Sequence, residues 1–380
     1  MESMFLTKAD KKLLSHKLTI NDPSSVPNLM ETAPADWKTS KIYGKYDLNA
    51  GKNTVWQFCA LKGRHRHGKG YVMESPAKLR FQIGVDCGRI EFGLDFGDIE
   101  LEFRGRENRQ LLLSRVISST PAAELLLTQL TSDVFRRQEG EVTELSKTLK
   151  TGFFKAISQF DNNALNYTIR EIDGTAMNKR KEELEDRLED LAAQKKRKQI
   201  TLTRFKEERS YLMESKKDWE PIYRFVTKNH ATLSGTELIA GESKLTPIIQ
   251  RAVRHLKAGI RIIKSAENSE QLPIKKLSKI LTHYRNAVSS VGDSKQYFTS
   301  PSRFFDRLNL QNLCTWSTLN RYSPTISIDG QKLVCAGKQG EFTLSIPSNF
   351  EEPDWDYFTG FDESLDVSFQ KPRSGGDSNE

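Results

Sequence analysis

The chain has 380 residues, 58 of them Lys or Arg and 50 Asp or Glu, giving a formal charge of +8. With 37% hydrophobic and 9% aromatic residues it holds enough apolar material for cored domains, which excludes disorder throughout, and its length predicts two or three domains. No apolar run approaches the roughly 20 residues that span a bilayer, the first 14 residues lack a signal-peptide core, and Cys59, Cys87, Cys314 and Cys335 are too far apart for a short-spaced zinc pair, so a cytoplasmic chain with no membrane partner, metal or cofactor is expected.

Residues 1–40 read as loosely organised, because Asp22, Pro23, Pro27 and Pro34 interrupt any long element. Over 41–118 a period of two predicts an antiparallel β domain. Leu79, Phe81, Ile83 and Val85 alternate with polar or small residues; so do Ile90, Phe92, Leu94 and Phe96, and then Ile99, Leu101 and Phe103. Asp86, Cys87 and Gly88, then Gly97 and Asp98, supply the expected turns. Shorter strands are expected at 55–61 and 71–73. Between them, residues 62–70 form a glycine-spaced basic loop. Arg64, Arg66 and Lys69 are candidate phosphate contacts there, since glycine admits close approach of the backbone. His65 and His67 have no third ligand nearby in sequence, which argues against a metal.

A helical domain is expected over 119–315. Thr120 and Pro121 read as an N-cap and first turn. A second helix is expected at 141–159, with Leu145, Leu149, Phe153 and Ile157 on one stripe and Asp161, Asn162 and Asn163 ending it. After a turn at Asp173 and Gly174, a long coiled-coil-like helix is predicted over 177–219. Its every seventh residue is Met177, Leu184, Leu191, Lys198, Phe205, Leu212 and Trp219, an apolar ladder with one charged interruption. The partner column carries Lys181, Lys195, Arg209 and Lys216, which would oppose like charges in a symmetric dimer. Packing against helices of the same chain is therefore favoured, along a rod of roughly 64 Å.

Pro221 ends that helix. Thr246 and Pro247 begin another, reaching about residue 266, and Pro273 opens the next. In the first of these, Ile248, Ile249, Ala252, Val253, Leu256, Ile260 and Ile263 share one arc, while Arg251, Arg254, Lys257, Arg261 and Lys264 occupy the opposite arc with no acid among them. In the second, Ile274, Leu277, Ile280, Leu281, Tyr284, Ala287 and Val288 face inward and Lys275, Lys276 and Lys279 outward. Ordinary surfaces mix both signs, so two adjacent all-cation faces point to an acidic partner. Residues 316–349 return to β as a hairpin region turning at Asp329 and Gly330.

Residues 350–380 carry nine acids against Lys371 and Arg373, or −7, together with Trp355, Tyr357, Phe358 and Phe361. The first 349 residues carry 56 bases and 41 acids, or +15. The modest net charge is thus a basic body plus an acidic aromatic tail. The tail is expected to be disordered alone and to contact the basic helices.

Catalytic motifs fail on inspection. Gly51, Lys52 and Thr54 resemble a phosphate loop, but Tyr46 stands where a glycine is needed and Asn53 where Ser or Thr is needed. No dinucleotide glycine fingerprint, nucleophile elbow or metalloprotease helix occurs. A nuclease-like rhythm around Asp329 and Lys338 lacks its second carboxylate, because Ala336 is there. Arg224 and His230 have the Arg-x5-His spacing of some helical ribonucleases, a pattern too degenerate to assign. What remains is an α+β protein with two functional expectations. One is a non-enzymatic subunit of a multiprotein assembly that engages the DNA or RNA backbone without sequence readout. The other is a protein-interaction scaffold whose coiled-coil arm and basic helices meet an acidic protein partner.

Overall fold

The computed structural model describes residues 5–48, 56–154, 164–217, 219–266, 271–319, 324–337, 340–348 and 350–366. In chain order its elements are α1 (Lys8–Ser15), β1 (Leu29–Met30), β2 (Lys41–Asp47), β3 (Gln57–Phe58), β4 (Arg66–His67), β5 (Lys69–Glu74), β6 (Arg80–Gly84), α2 (Val85–Phe92), α3 (Asp95–Leu130) and α4 (Asp133–Thr148). They continue with β7 (Ala164–Ile172), α5 (Gly174–Lys196), α6 (Leu202–Lys217), β8 (Tyr223–Thr232), α7 (Glu237–Lys264), α8 (Ile274–Phe304), α9 (Arg307–Leu319), β9 (Thr325–Asp329), β10 (Lys332–Gly337), β11 (Gly340–Ser345) and α10 (Asp356–Leu365). The architecture is α+β. It divides into two compact units, the first of residues 1–137, 246–294 and 353–380, the second of 138–245 and 295–352. The expected helix end at 155–163, the Gly51 to Thr54 motif, Lys338 and the tail beyond Asp366 lie outside the described residues.

In the first unit four strands form a mixed sheet in the order β1-β6-β5-β2, with β1 parallel to β6 and the other pairs antiparallel. The alternation in β5 and β6 buries side chains on both faces. Met73, Phe81 and Ile83 pack with Phe92, Phe96 and Phe103, while Val72 and Tyr46 pack with Ile20 and Val26 from the N-terminal segment. That segment, expected to be loose, is ordered: Thr7 and Asp10 form a reciprocal capping box on α1. Asp10 is only 1% exposed. It accepts from Arg109 Nε at 2.9 Å and Nη2 at 2.7 Å and from Gln271 Nε2 at 3.0 Å. Arg109 Nη1 also donates to the Leu272 carbonyl at 2.6 Å. One buried charge thus ties together α1, α3 and the segment before α8. Burial raises the Asp10 carboxyl, but the hydrogen bonds from Gln271, Arg109 and Thr7 outweigh it and hold the group below its ordinary value.

The expected strands over 85–104 are helices α2 and α3. Alternation also contains four-residue spacings, and the helix uses these. Phe92, Phe96, Ile99 and Phe103 turn inward, with Tyr71 of β5 edge-on to Phe96 and Phe103, while Leu94 is 97% and Leu101 69% exposed. Thr120 and Pro121 do not start a helix; they lie inside α3, where Ser119 Oγ and Thr120 Oγ1 donate back to the carbonyls of Arg115 and Val116 at 2.7 and 2.6 Å. By length and composition alone α3 is apolar enough to cross a bilayer. In this fold the same helix buries Phe96, Phe103, Leu113, Val116, Ala123 and Leu126. The second expected helix begins earlier, at Asp133, where Ser132 Oγ accepts from the Phe135 amide.

Within the acidic tail, Asp356–Leu365 folds as α10 and packs on α3. Phe361 is fully buried, edge-on to Tyr284 of α8 at 5.5 Å between ring centres, and Ser118 Oγ donates to the Ser364 carbonyl. One aromatic of the strip expected to be disordered, Phe361, is here part of a core, whereas Tyr357 stays exposed.

In the second unit β7 and β8 pair antiparallel from Ala164↔Thr232 to Ile172↔Tyr223. The long helix expected over 177–219 is two helices, α5 and α6, folded back on one another. The break falls at the charged interruption of the heptad ladder. Arg197 caps α5, Lys198 takes φ +60°, and Thr201 Oγ1 accepts from the Arg204 amide to start α6. The run of four consecutive cations, Lys195 to Lys198, would repel one another in a continuous helix, and the helix ends within it. Leu184 and Leu191 are buried in the hairpin, and Lys195 Nζ lies 4.6 Å over the Phe205 ring. At the ribbon end of α9, Trp316 Nε1 donates to the Asn166 carbonyl at 2.6 Å. Strands β9, β10 and β11 form an antiparallel sheet in the order β11-β10-β9; the hairpin turn falls at Gly330 and Gln331, one residue later than expected, with Asp329 the last residue of β9 opposite Lys332. Gly235 must be glycine: its φ is +71°, and a Cβ there would sit 2.5 Å from Phe304 N.

Candidate nucleic-acid interface

Helix α7 starts at Glu237, ahead of the expected Thr246, and carries Pro247 inside it. Leu238 and Leu245, both fully buried, hold the helix through the proline. Beyond Pro247 the face expected to be apolar buries Ile249, Ala252, Leu256, Ile260 and Ile263, while Ile248 and Val253 at its margins are half-buried. Helix α8 begins directly after Pro273 and buries Leu277, Ile280, Leu281 and Tyr284. The two helices meet closely. A Cβ on Gly259 would lie 2.4 Å from the Tyr284 ring, and His255 Nδ1 is 3.1 Å from His283 Nδ1. Burial, then the neighbouring His255 and Lys279, push His283 below its ordinary value, toward the neutral imidazole.

Arg251, Arg254, Lys257, Arg261 and Lys264 of α7 and Lys275, Lys276 and Lys279 of α8 are all exposed. Among the described residues none of the eight makes an ion pair or a side-chain hydrogen bond. Several cations elsewhere in the first unit do pair with acids: Lys41 with Glu102, Lys45 with Glu107, Lys62 with Glu91 and Lys78 with Glu74. Among the described residues, then, the eight cations stand on two touching helices without an ion-pair partner.

The three loop candidates sit on a separate element. Strands β3 and β4 pair as a short hairpin. Arg64 is exposed, Arg66 lies 5.2 Å over the Phe58 ring, and Lys69 pairs with Asp47 at 2.8 Å. Beneath the loop, burial raises the Cys59 thiol, but hydrogen bonds from His67 and from the amides of Leu61, Lys62 and Gly84 prevail and bring it down to about 7. Cys87 is pushed up to about 11 by burial and by its hydrogen bond to Cys59. His67 Nδ1 also meets the Tyr46 hydroxyl at 2.9 Å. Among the described residues no group of three or more His, Cys, Asp or Glu side chains is placed to hold a metal ion. Arg224 and His230 fall on strand β8, so their spacing does not form the helical pair of a ribonuclease.

One group escaped the sequence reading. On the β7–β8 ribbon, Arg170 lies 3.7 Å over the Tyr223 ring, and Phe225 and Ile172 are open to solvent. Its sequence signal is the Tyr-x-Phe alternation directly after Pro221, beside Thr168, Arg170 and Ile172 at period two. Comparisons of the chain with family models, with curated proteins and with solved structures found no match.

Proposed function

We propose that this chain is a non-enzymatic, nucleic-acid-engaging subunit of a larger assembly, gripping the phosphate backbone with the outer faces of α7 and α8 without reading sequence. The observation that carries this is the set of eight exposed cations on two touching helices, none of which has an ion-pair partner among the described residues. Such cations bind phosphate without first breaking an ion pair, and each phosphate they neutralise on duplex DNA adds about 0.9 to the salt slope of log K.

The test is fluorescence anisotropy on duplex and single-stranded DNA and RNA across a salt series. Wild type binds tightly at low salt and weakens steeply. The variant Arg251→Glu/Arg254→Glu/Arg261→Glu binds at least tenfold more weakly, with a slope flatter by about two to three. No binding at low salt, or unchanged binding by the variant, overturns the proposal. In this reading the exposed acids of α10 compete with phosphate for the same cations. Deleting the tail is a poor test, because Phe361 belongs to the core. Asp356→Asn/Asp362→Asn/Glu363→Gln leaves Phe361 in place and raises affinity a fewfold; unchanged affinity refutes the competition. A second reading, a scaffold for an acidic protein, draws on the solvent-exposed outer faces of the α5–α6 hairpin. It takes precedence if nucleic acid fails to bind at any salt.

A further inference from the structure

The ribbon of the second unit has two unlike faces. On one, Glu171 ion-pairs with Lys228, and Ile169 and Val226 are half-buried. The other is defined by two side-chain contacts across the strands: Asn229 Nδ2 donates to Asn166 Oδ1 at 3.1 Å, and the Arg170 guanidinium stacks on the Tyr223 ring. Phe225 is 74%, Ile172 58% and Tyr223 41% exposed on this face. Register and alternation give it no acidic residue, since Glu171 points to the opposite side. An apolar, aromatic surface left in water on a strand pair marks a binding site more often than a random surface does.

The spacing selects the ligand. Tyr223 and Phe225 are two residues apart on one strand, about 6.6–6.8 Å along it. Stacked nucleotides rise only about 3.4 Å per strand. Two neighbouring bases can each lie on one of these platforms only if they are pulled out of their own stack, which a duplex does not allow. Planar rings and a planar guanidinium are the surfaces on which unpaired bases stack, and such stacking tolerates any sequence. Asn166 and Asn229 add amide groups suited to base edges.

We propose that this face of the ribbon binds single-stranded DNA or RNA, with adjacent unpaired bases stacked on Phe225 and on the Arg170–Tyr223 pair. The choice of a nucleic acid over a protein ligand rests on the acid-free face and on the reading of α7 and α8 given above. The site itself is separate, lies in the other unit, and supplies base contacts where the helices supply phosphate contacts.

The experiment uses the full chain with a 20-nucleotide oligothymidine, the matching oligouridine and a duplex of equal length. Phe225→Ala weakens binding to the single strands by about tenfold, leaves duplex binding within twofold, and leaves the salt slope unchanged because no charge is removed. Phe225→Trp, which keeps a ring, restores single-strand binding. Ultraviolet crosslinks from a 4-thiothymidine-substituted oligonucleotide map to the segment 223–232. Single-strand affinity unaltered by Phe225→Ala, or crosslinks confined to other segments, overturns the proposal and leaves the face to a protein partner. The two readings fail separately. The charge-reversal variant of α7 flattens the salt slope on duplex and single strand alike, whereas loss of the ribbon site alters only the single-strand affinity.

Discussion

In the first unit Tyr71 meets Phe96 and Phe103 in T-shaped, edge-to-face contacts, and all the apolar residues that alternate along β5 and β6 lie under helix or loop. In the second, Tyr223 and Phe225 alternate along β8 in the same way, yet they stay 41% and 74% exposed, with the guanidinium of Arg170 stacked on the Tyr223 ring. The same period-two pattern thus serves two ends. Where a long helix supplies facing rings, the aromatics become core. Where the strands run on as a two-stranded ribbon, the aromatics remain a surface. Burial, rather than composition, separates a folding residue from a binding residue.

The sharpest way to break that comparison is to truncate one ring in each region. Phe103→Ala removes a fully buried phenyl and lowers the stability of the first unit by about 3–5 kcal/mol, measured by urea unfolding. Next comes the buried charge. Asp10→Ala leaves Arg109 buried without its carboxylate and costs about 3 kcal/mol or more at neutral pH. Because the folded Asp10 carboxyl lies below its unfolded value of about 3.9, its contribution is complete above the unfolded pKa and is lost as pH falls through the folded one. The gap between wild type and Asp10→Asn therefore narrows in acid, and a gap that stays constant down to pH 2 contradicts the assigned direction. Smallest is the ribbon: Phe225→Ala changes stability by no more than about 0.5 kcal/mol while it weakens single-strand binding. A large loss of stability there would show that the ring is structural.

Strands β2, β5 and β6, a hairpin turn at Gly330 (though one residue later in register than expected), and the inward faces of α7 and α8 were legible in the sequence, because each rests on a local rule of alternation, turn chemistry or amphipathic spacing. Residues 85–104 were not, since Ile90 to Phe103 satisfy both a strand and a helix period, and only the rings of Tyr71, 14 or more residues away, decide between them. The break at Lys198 was visible as an anomaly in the heptad ladder, but its meaning depended on Thr201 acting as a cap. Phe361 was hidden by its acidic neighbours; its partner Tyr284 lies far away in sequence. The eight helix cations could be assigned to outer faces from the sequence, whereas their lack of ion-pair partners among the described residues is a property of the folded surface.

The pairing of Ile172 with Tyr223 closes the ribbon at the point where the chain departs into α5 and returns from α6. Everything from 173 to 222 leaves and re-enters through one pair of adjacent residues. In evolutionary and engineering terms the helical hairpin is a cassette, free to lengthen, shorten or be exchanged without altering the register of the strands beneath it. Joining Ile172 to Tyr223 through a two-residue Asn-Gly turn yields a smaller protein that keeps its aromatic strip while losing the arm.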